Sequence, residues 1–125
     1  MKEFNTPNLP APGGHYSQAV IHKDLMYISG QLPINPFTGA KVNGPIEDQT
    51  RQILENLDTL LRDAGADKKS VLKCTVYVSD ISLWGTVNEI YAEYFGKHRP
   101  ARVVVPVKEL HYGSMIELEA IAAIS

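Results

Sequence analysis

The sequence lacks several features that mark particular classes of protein. It has one cysteine, Cys74, so it cannot form an internal disulfide framework or a zinc site built from cysteines. No apolar run approaches the ~20 residues that a membrane-spanning helix needs, and residues 1–10 show no hydrophobic signal region. The formal net charge is −2, which does not favour nucleic acid or an anionic membrane as a partner. We therefore expect a soluble cytoplasmic protein without either partner.

Motifs for metals and cofactors are also missing. The four histidines, His15, His22, His98 and His111, show no metal-ligand spacing. There is no glycine-rich phosphate loop, nucleophile elbow or convincing Cys/His pair. Cys74 falls on the apolar face of a predicted strand, which indicates a small buried hydrophobe. The remaining chemistry is proton transfer and carboxylate binding, with no metal or organic cofactor expected.

What the sequence does contain is the pattern of one globular domain over residues 1–125, of which 44% are hydrophobic and 21% charged. Proline and glycine predict a loop over residues 1–13. Apolar residues at helical spacing predict helices over 46–64 and about 83–96. Strands are predicted within 16–31 (two strands), 71–78, 100–107 and 115–124. The order β-β-α-β-α-β-β predicts an α+β fold, a mixed sheet with two helices on one face.

The last predicted strand indicates how that sheet is covered. Its even positions, from Ile116 to Ile124, are all apolar and are expected to meet the helices. Its odd positions combine apolar residues with Glu117 and Glu119, a mixture more typical of an interface than of a solvated surface. We expect an oligomer that packs through the open face of the sheet.

Arg102 is the only charged residue in the apolar run 100–107. A guanidinium cannot lose its proton, so it needs an acceptor or a water-filled cleft. Alternation along the strand predicts that Val103 and Val105 face the helices, and that Arg102 shares the open face with Glu117. Two interpretations remain open: a structural ion pair with a glutamate, or an anion-binding site beside a carboxylate.

The other candidate residues carry weaker signals. Glu117 and Glu119 are either solvated acids or, if buried together, a pair in which one has a raised pKa and carries a proton. Ser29 and Gly30 lie at a strand end, Tyr16 follows two glycines, and Asn88 lies in the second predicted helix. Each of these is more often structural than functional.

Seven segments together resemble the reactive intermediate deaminase (Rid, also called YjgF) family of enamine/imine deaminases. They occur in the family's order and cover nearly the whole chain from Gly14 onward: residues 14–19, 28–33, 49–65, 71–80, 87–91, 100–102 and 116–122. The resemblance implies a chorismate-mutase-like subunit. It also implies a homotrimer with a central β-barrel and three sites in the clefts between subunits.

By the same resemblance, Arg102 would hold the substrate carboxylate and Glu117 would position or activate the attacking water. The remaining expected substrate contacts are Tyr16, Ser29, Gly30, Asn88 and Val104. The implied reaction is hydrolysis of 2-aminoacrylate- or 2-aminocrotonate-type enamines, through their imine tautomers, to 2-oxo acids and ammonia. The implied role is metabolite damage control.

The sequence departs from the family pattern at two places. Val103-Val104 replace a common Ser-Cys pair, and His111 replaces the proline that usually follows Leu110. His111 and Tyr112 could therefore line an altered pocket. Two alternatives stay open: a non-catalytic trimeric regulator that binds small molecules, and a deaminase of a larger unsaturated amino acid such as an aminomuconate-like compound.

Overall fold

Six strands and two α-helices make up the ordered framework of residues 1–124, the part of the chain that the computed structural model describes. Short 3₁₀ turns at Lys68–Ser70, Ile81–Leu83 and His111–Gly113 lie between these elements. In chain order the elements are β1 (Lys2–Phe4), β2 (Ala19–His22), β3 (Leu25–Gln31), α1 (Ile46–Asp63), β4 (Val71–Val78), α2 (Trp84–Phe95), β5 (Ala101–Pro106) and β6 (Ile116–Ala123).

The strands form one mixed sheet in the order β1-β2-β3-β6-β4-β5. All neighbours are antiparallel except β4 and β5, which run parallel and are connected through α2. The last strand thus lies inside the sheet, between β3 and β4, while β5 forms an edge. The predicted α+β class with one mixed sheet and two helices is confirmed.

Helix α1 forms where the sequence predicts it, because its apolar residues repeat at helical spacing. Glu47 and Asp48 lie in its first turn, where the helix dipole favours acids. The chain leaves the helix through Gly65, whose φ of +82° is costly for other residues. The buried stripe consists of Ile53, Leu54, Leu57, Leu60 and Leu61. Among residues 1–124, no helix is long and apolar enough to cross a membrane.

The core lies between this stripe, α2 and one face of the sheet. Even positions of β6 are buried there, as alternation predicts, together with residues of β3 and β4. The opposite face, called the open face below, carries the odd positions of β6. Tyr27 and Val103 also lie on it and are 45% and 43% exposed. The sheet therefore has one face in the core and one that no helix of residues 1–124 covers.

Two details of the strands differ from the predictions. Residues 1–13 are not all loop, since Lys2–Phe4 pairs with β2 as an edge strand. Three residues are too few to show a repeating pattern. Leu72 is 48% exposed whereas Val71 is fully buried. The cause is a register shift against β6 between Val71 and Lys73, which breaks the alternation that predicted a buried Leu72.

The core assignment can be tested at Leu57, which is fully buried. Leu57→Ala leaves a cavity, so we expect the free energy of unfolding to fall by ~2–5 kcal/mol. Phe37 is 92% exposed, so Phe37→Ala should change the free energy of unfolding by less than ~0.5 kcal/mol. Urea denaturation at equal protein concentration measures both. Equal losses in the two variants would contradict this core.

Candidate active site

A cavity of about 340 Å³ lies between the N-terminal loop, the end of β3, the 3₁₀ turn at 111–113 and the start of β6. It is called the Glu117 cavity below. It brings together four of the predicted site residues: Tyr16, Ser29, Gly30 and Glu117. His111 and Tyr112 also line it, as expected from their departure from the family pattern. The remaining lining residues are Gly13, Gly14 and Leu32.

Gly30 lets the carboxylate of Glu117 lie against the backbone of β3. A Cβ atom placed on Gly30 would overlap the carboxylate and lie 3.1 Å from its Cδ. Pairing between β3 and β6 shifts register between Ile28 and Gln31, so Gly30 falls in the irregular stretch. Glycine within a strand commonly marks such a close approach. Gly30 is therefore needed to form the cavity, although it offers no side chain to a ligand.

The electrostatics of Glu117 suit proton transfer. The side chain is half-buried, and this burial is the main cause that raises the pKa of its carboxyl. The neighbouring Glu119 raises this pKa further, while His111 lowers it. Within residues 1–124 no side chain or backbone group donates a hydrogen bond to the Glu117 carboxylate. A carboxylate with a raised pKa is a stronger base than an ordinary glutamate and is suited to accept a proton from water.

Glu119 has a different environment from Glu117. Its carboxylate accepts a hydrogen bond from the phenol of Tyr77, with an oxygen–oxygen distance of 2.5 Å. This hydrogen bond is the main cause that raises the pKa of Tyr77. Both acids border a second cavity of about 390 Å³ on the open face. Glu119 is thus hydrogen-bonded to a phenol, whereas Glu117 faces a cavity without a hydrogen-bond partner in residues 1–124.

Tyr16 and Ser29 form one wall of the Glu117 cavity. The Ser29 hydroxyl donates a hydrogen bond of 2.7 Å to the carbonyl of Ser17. The phenol of Tyr16 accepts one of 3.3 Å from the amide of Gly13, and its side chain is 54% exposed. The first contact holds the N-terminal loop against β3, and the second closes a turn within the loop beside the cavity.

Arg102 lies in a separate environment, packed against α2. Its Nη1 donates a hydrogen bond of 2.9 Å to Oδ1 of Asn88. The guanidinium carbon lies 4.8 Å from the ring centroid of Tyr91 and 6.0 Å from that of Trp84. Trp84, Asn88 and Tyr91 follow one another along α2 at spacings of four and three residues, so they lie on one face of the helix. Arg102, Asn88 and Tyr91 border a cavity of about 500 Å³, called the Arg102 cavity below.

The prediction that Arg102 and Glu117 share the open face is wrong. Arg102 pairs in register with Cys74, which pairs with the buried Ala120, so its side chain is on the helix side. Glu117 pairs with Tyr77 and is on the open side. Because β5 is an edge strand with valines on both faces, apolar alternation alone could not show which face is covered.

The interpretation of Arg102 as a structural ion pair is also wrong for residues 1–124. No carboxylate there lies within ion-pair distance of its guanidinium, and its hydrogen-bond partner is the neutral amide of Asn88. Val104 faces the same side and packs against the core; it borders neither the Glu117 cavity nor the Arg102 cavity. Its predicted contact with substrate stays a prediction.

Three residues around these cavities were not predicted. Trp84 and Tyr91 flank the guanidinium of Arg102. Their helical spacing from Asn88 was the only sequence pattern that could have predicted this. Lys41 donates a hydrogen bond of 2.6 Å to the carbonyl of Tyr112, and no sequence signal connects these distant residues.

Cys74 is fully buried as predicted, and burial raises the pKa of its thiol to about 11. Residues 1–124 contain no group of three potential ligands that could hold a metal ion.

Comparison with known proteins places this arrangement in a family. The family model described as Endoribonuclease L-PSP matches residues 6–124. A RutC family protein of Pyrococcus horikoshii is 50% identical over 98% of both chains. A human protein named 2-iminobutanoate/2-iminopropanoate deaminase is 42% identical over 95% of this chain and 87% of its own. The chain belongs to the Rid (endoribonuclease L-PSP) family. This confirms the resemblance seen in the sequence and the prediction of an enzyme of this deaminase type.

Solved structures of Rid relatives match the whole fold. A putative endoribonuclease of Thermotoga maritima superposes with a TM-score of 0.95 at 43% identity and covers 100% of this chain and 98% of its own. TdcF of Escherichia coli, solved with bound serine, has a TM-score of 0.93 at 34% identity and covers 100% of both chains. The Rid fold therefore applies to residues 1–124 as a whole.

The proton affinity of Glu117 in this Rid protein can be tested by NMR titration of carboxyl carbons. We expect a pKa above the ordinary glutamate value, because burial disfavours the charged form. Glu119→Gln removes a nearby negative charge and should lower the pKa of Glu117. His111→Asn removes a nearby positive charge and should raise it. Shifts in the reverse directions would contradict this electrostatic account.

Proposed function

We propose that this Rid protein hydrolyses 2-aminoacrylate- or 2-aminocrotonate-type enamines, through their imine tautomers, to 2-oxo acids and ammonia. The observation that carries the proposal is the unpaired, half-buried Glu117 carboxylate with a raised pKa, set against Gly30 in a cavity. Relatives named 2-iminobutanoate/2-iminopropanoate deaminase support it. Disposal of such reactive intermediates in the cytoplasm, as metabolite damage control, is part of the same proposal.

We further propose that the active unit is a homotrimer with a central β-barrel and sites between subunits. In one chain Arg102 and Glu117 are on opposite faces of the sheet, so neither cavity holds both groups. Exposed Tyr27 and Val103 on the open face are suited to an interface. A cyclic trimer brings two different surfaces of neighbouring subunits together at each interface. The Glu117 cavity of one subunit can then adjoin the Arg102 cavity of the next.

Arg102 would bind the substrate carboxylate. A guanidinium has five N–H donors, and the contact with Asn88 uses one on Nη1. The remaining donors can form the bidentate pair that a planar carboxylate favours. The rings of Tyr91 and Trp84 and the hydrogen bond to Asn88 limit the movement of the guanidinium before substrate binds. These contacts suit a substrate anchor.

Glu117 would activate the water. Its carboxylate takes a proton from water as the water oxygen bonds to the imine carbon, and the π electrons of the C=N bond move to nitrogen, which takes a proton from solvent. The carboxyl of Glu117 then returns its proton to the nitrogen of the tetrahedral carbinolamine, ammonia leaves, and the hydroxyl proton passes to solvent as the C=O bond of the 2-oxo acid forms. The net reaction consumes one imine and one water and yields one 2-oxo acid and one ammonia. The proposed steps use no metal or organic cofactor.

A larger substrate is the second candidate. The Glu117 cavity adjoins another cavity of about 270 Å³ beneath the N-terminal loop, and Tyr16, Ser29 and Tyr112 line both. This space favours a longer side chain, such as that of an aminomuconate-like amino acid. Cleavage of RNA, which the family description suggests, fits less well, because Glu117, Glu119 and the net charge of −2 oppose binding of phosphates.

The central test is ammonia and 2-oxo acid release from enzymatically generated 2-aminoacrylate, with and without the protein. Glu117→Gln keeps the shape but removes the base, so we expect turnover to fall by about 10²–10⁴-fold. Glu119→Gln is the matched control and should have a milder effect. If the wild-type protein binds 2-oxo acids without accelerating release, the regulator alternative is correct. If Glu119→Gln alone is inactive, the wrong acid has been assigned.

The role of Arg102 is tested by 2-oxo acid binding, measured by calorimetry. Arg102→Ala should weaken binding by ~10- to 100-fold, since a charge-assisted hydrogen bond contributes ~1.5–3 kcal/mol. Arg102→Lys should restore little, because a point charge cannot form the bidentate pair. Arg62→Ala, at an exposed position on α1, is the control. Unchanged binding in Arg102→Ala would contradict the anchor role.

The proposed assembly is tested by light scattering at micromolar concentration. We expect a mass about three times the 13.8 kDa of one chain, since most homo-oligomers have closed symmetry. Val103→Lys places a charge on the open face and should lower this mass, whereas Phe37→Lys, on an exposed loop, should not. A wild-type monomer would contradict both the assembly and the shared site.

A further inference from the structure

A second titratable side chain faces the cavity that holds Glu117. His111 lines this cavity from the 3₁₀ turn that precedes β6. The residue is exposed, and no group within residues 1–124 forms a hydrogen bond with its imidazole ring. The ring lies beside that of Tyr112, with centroids 5.7 Å apart. An imidazole in this position is free to exchange protons with a ligand.

The turn that carries His111 has an unusual conformation. Tyr112 has a φ of +61°, in the left-handed region that a bulky residue rarely adopts. Lys41, from the loop after β3, donates a hydrogen bond of 2.6 Å to its carbonyl. Strained residues that surrounding contacts hold in place are frequent at functional sites. The contact from Lys41 therefore helps to fix the turn in which His111 and Tyr112 line the cavity.

The charged and titratable groups around His111 and Glu117 come from five parts of the chain. Glu117 and Glu119 lie on β6, Tyr16 on the N-terminal loop, Tyr112 on the same turn, Glu109 on the segment between β5 and this turn, and Lys41 on the loop after β3. Protonated His111 is near enough to Glu117 to lower the pKa of that carboxyl. The carboxylate and the imidazole thus form an acid–base pair across one cavity.

We propose that His111 is a second proton-transfer residue of this active site, donating a proton to the nitrogen of the imine while Glu117 takes one from water. The inference rests on the proposed deamination. As the water oxygen bonds to the imine carbon, the N–H bond to nitrogen forms with the proton of the imidazolium, which becomes neutral. The proton that Glu117 received can return to the nitrogen, which then leaves as ammonia. The deprotonated imidazole accepts the hydroxyl proton of the carbinolamine, so both residues regain their starting states.

This role would be an addition to the common family pattern, in which a proline follows the leucine at this position. Proline has no proton to donate, so a histidine at this position adds a proton donor that the common pattern lacks. Histidine ordinarily titrates close to neutral pH, which makes it the side chain best suited to such a transfer.

The test is the pH dependence of kcat and kcat/KM for 2-iminopropanoate hydrolysis, corrected for spontaneous decay at each pH. In the wild type, activity should fall at low pH as Glu117 is protonated and at high pH as His111 loses its proton. His111→Asn and His111→Pro should each lower kcat by about 10²-fold and abolish the high-pH decline. His22→Asn, at an exposed position on β2, is the control and should leave the profile unchanged.

Circular dichroism and light scattering establish that each variant keeps the wild-type fold and mass. If asparagine alters the turn, the proline variant serves instead, because proline is the residue common at this position in the family. An active wild type whose rate and high-pH decline persist in both variants overturns the role of His111 alone. A His111 variant that loses activity but keeps the high-pH decline also overturns the proton-transfer role, because a structural role of His111 then explains the loss. An inactive wild-type protein overturns the proposed deamination and this inference together.

Discussion

Because side chains alternate between the two faces of the β-sheet, one chain by itself cannot place Arg102 beside Glu117. Arg102 on β5 points toward α2, and Glu117 on β6 points away from the helices. A sheet with a covered face cannot bring these two groups together within one subunit. The proposed anion anchor, Arg102, and the proposed proton acceptor, Glu117, can meet only if a second copy of the chain supplies one of them. The proposed assembly, the location of the site and the roles of both residues all depend on this constraint.

The Glu117 cavity shows how local packing sets the chemistry of a carboxylate. Gly30 leaves room for Glu117 to lie against β3, and partial burial then raises the pKa of its carboxyl. Two positions away, the phenol of Tyr77 holds Glu119 in a hydrogen bond. Adjacent acids on one strand face thus have different environments, and the unpaired one is suited to proton transfer. His111 opposes the effect of burial on Glu117 and offers a proton in the same cavity.

Much of this arrangement could be predicted from the sequence because it depends on regular periodicity. The stripe of α1, the buried even positions of β6 and the outward direction of Glu117 follow from repeats of 3.6 and 2 residues. Prediction failed where neighbours decide the outcome. β5 has valines on both faces, so α2 determines the direction of Arg102, and a register shift exposes Leu72. The contact of Lys41 with Tyr112 joins residues far apart in sequence and leaves no local pattern.

Mixing two inactive variants shows whether two subunits contribute to each site. Arg102→Ala subunits keep Glu117, and Glu117→Gln subunits keep Arg102. After unfolding and refolding an equal mixture, random trimers should hold intact sites at about a quarter of all positions, since each needs one group from each variant. We expect the mixture to recover about a quarter of wild-type imine hydrolysis. A mixture that stays as inactive as either variant alone, although mixed trimers form, would contradict it.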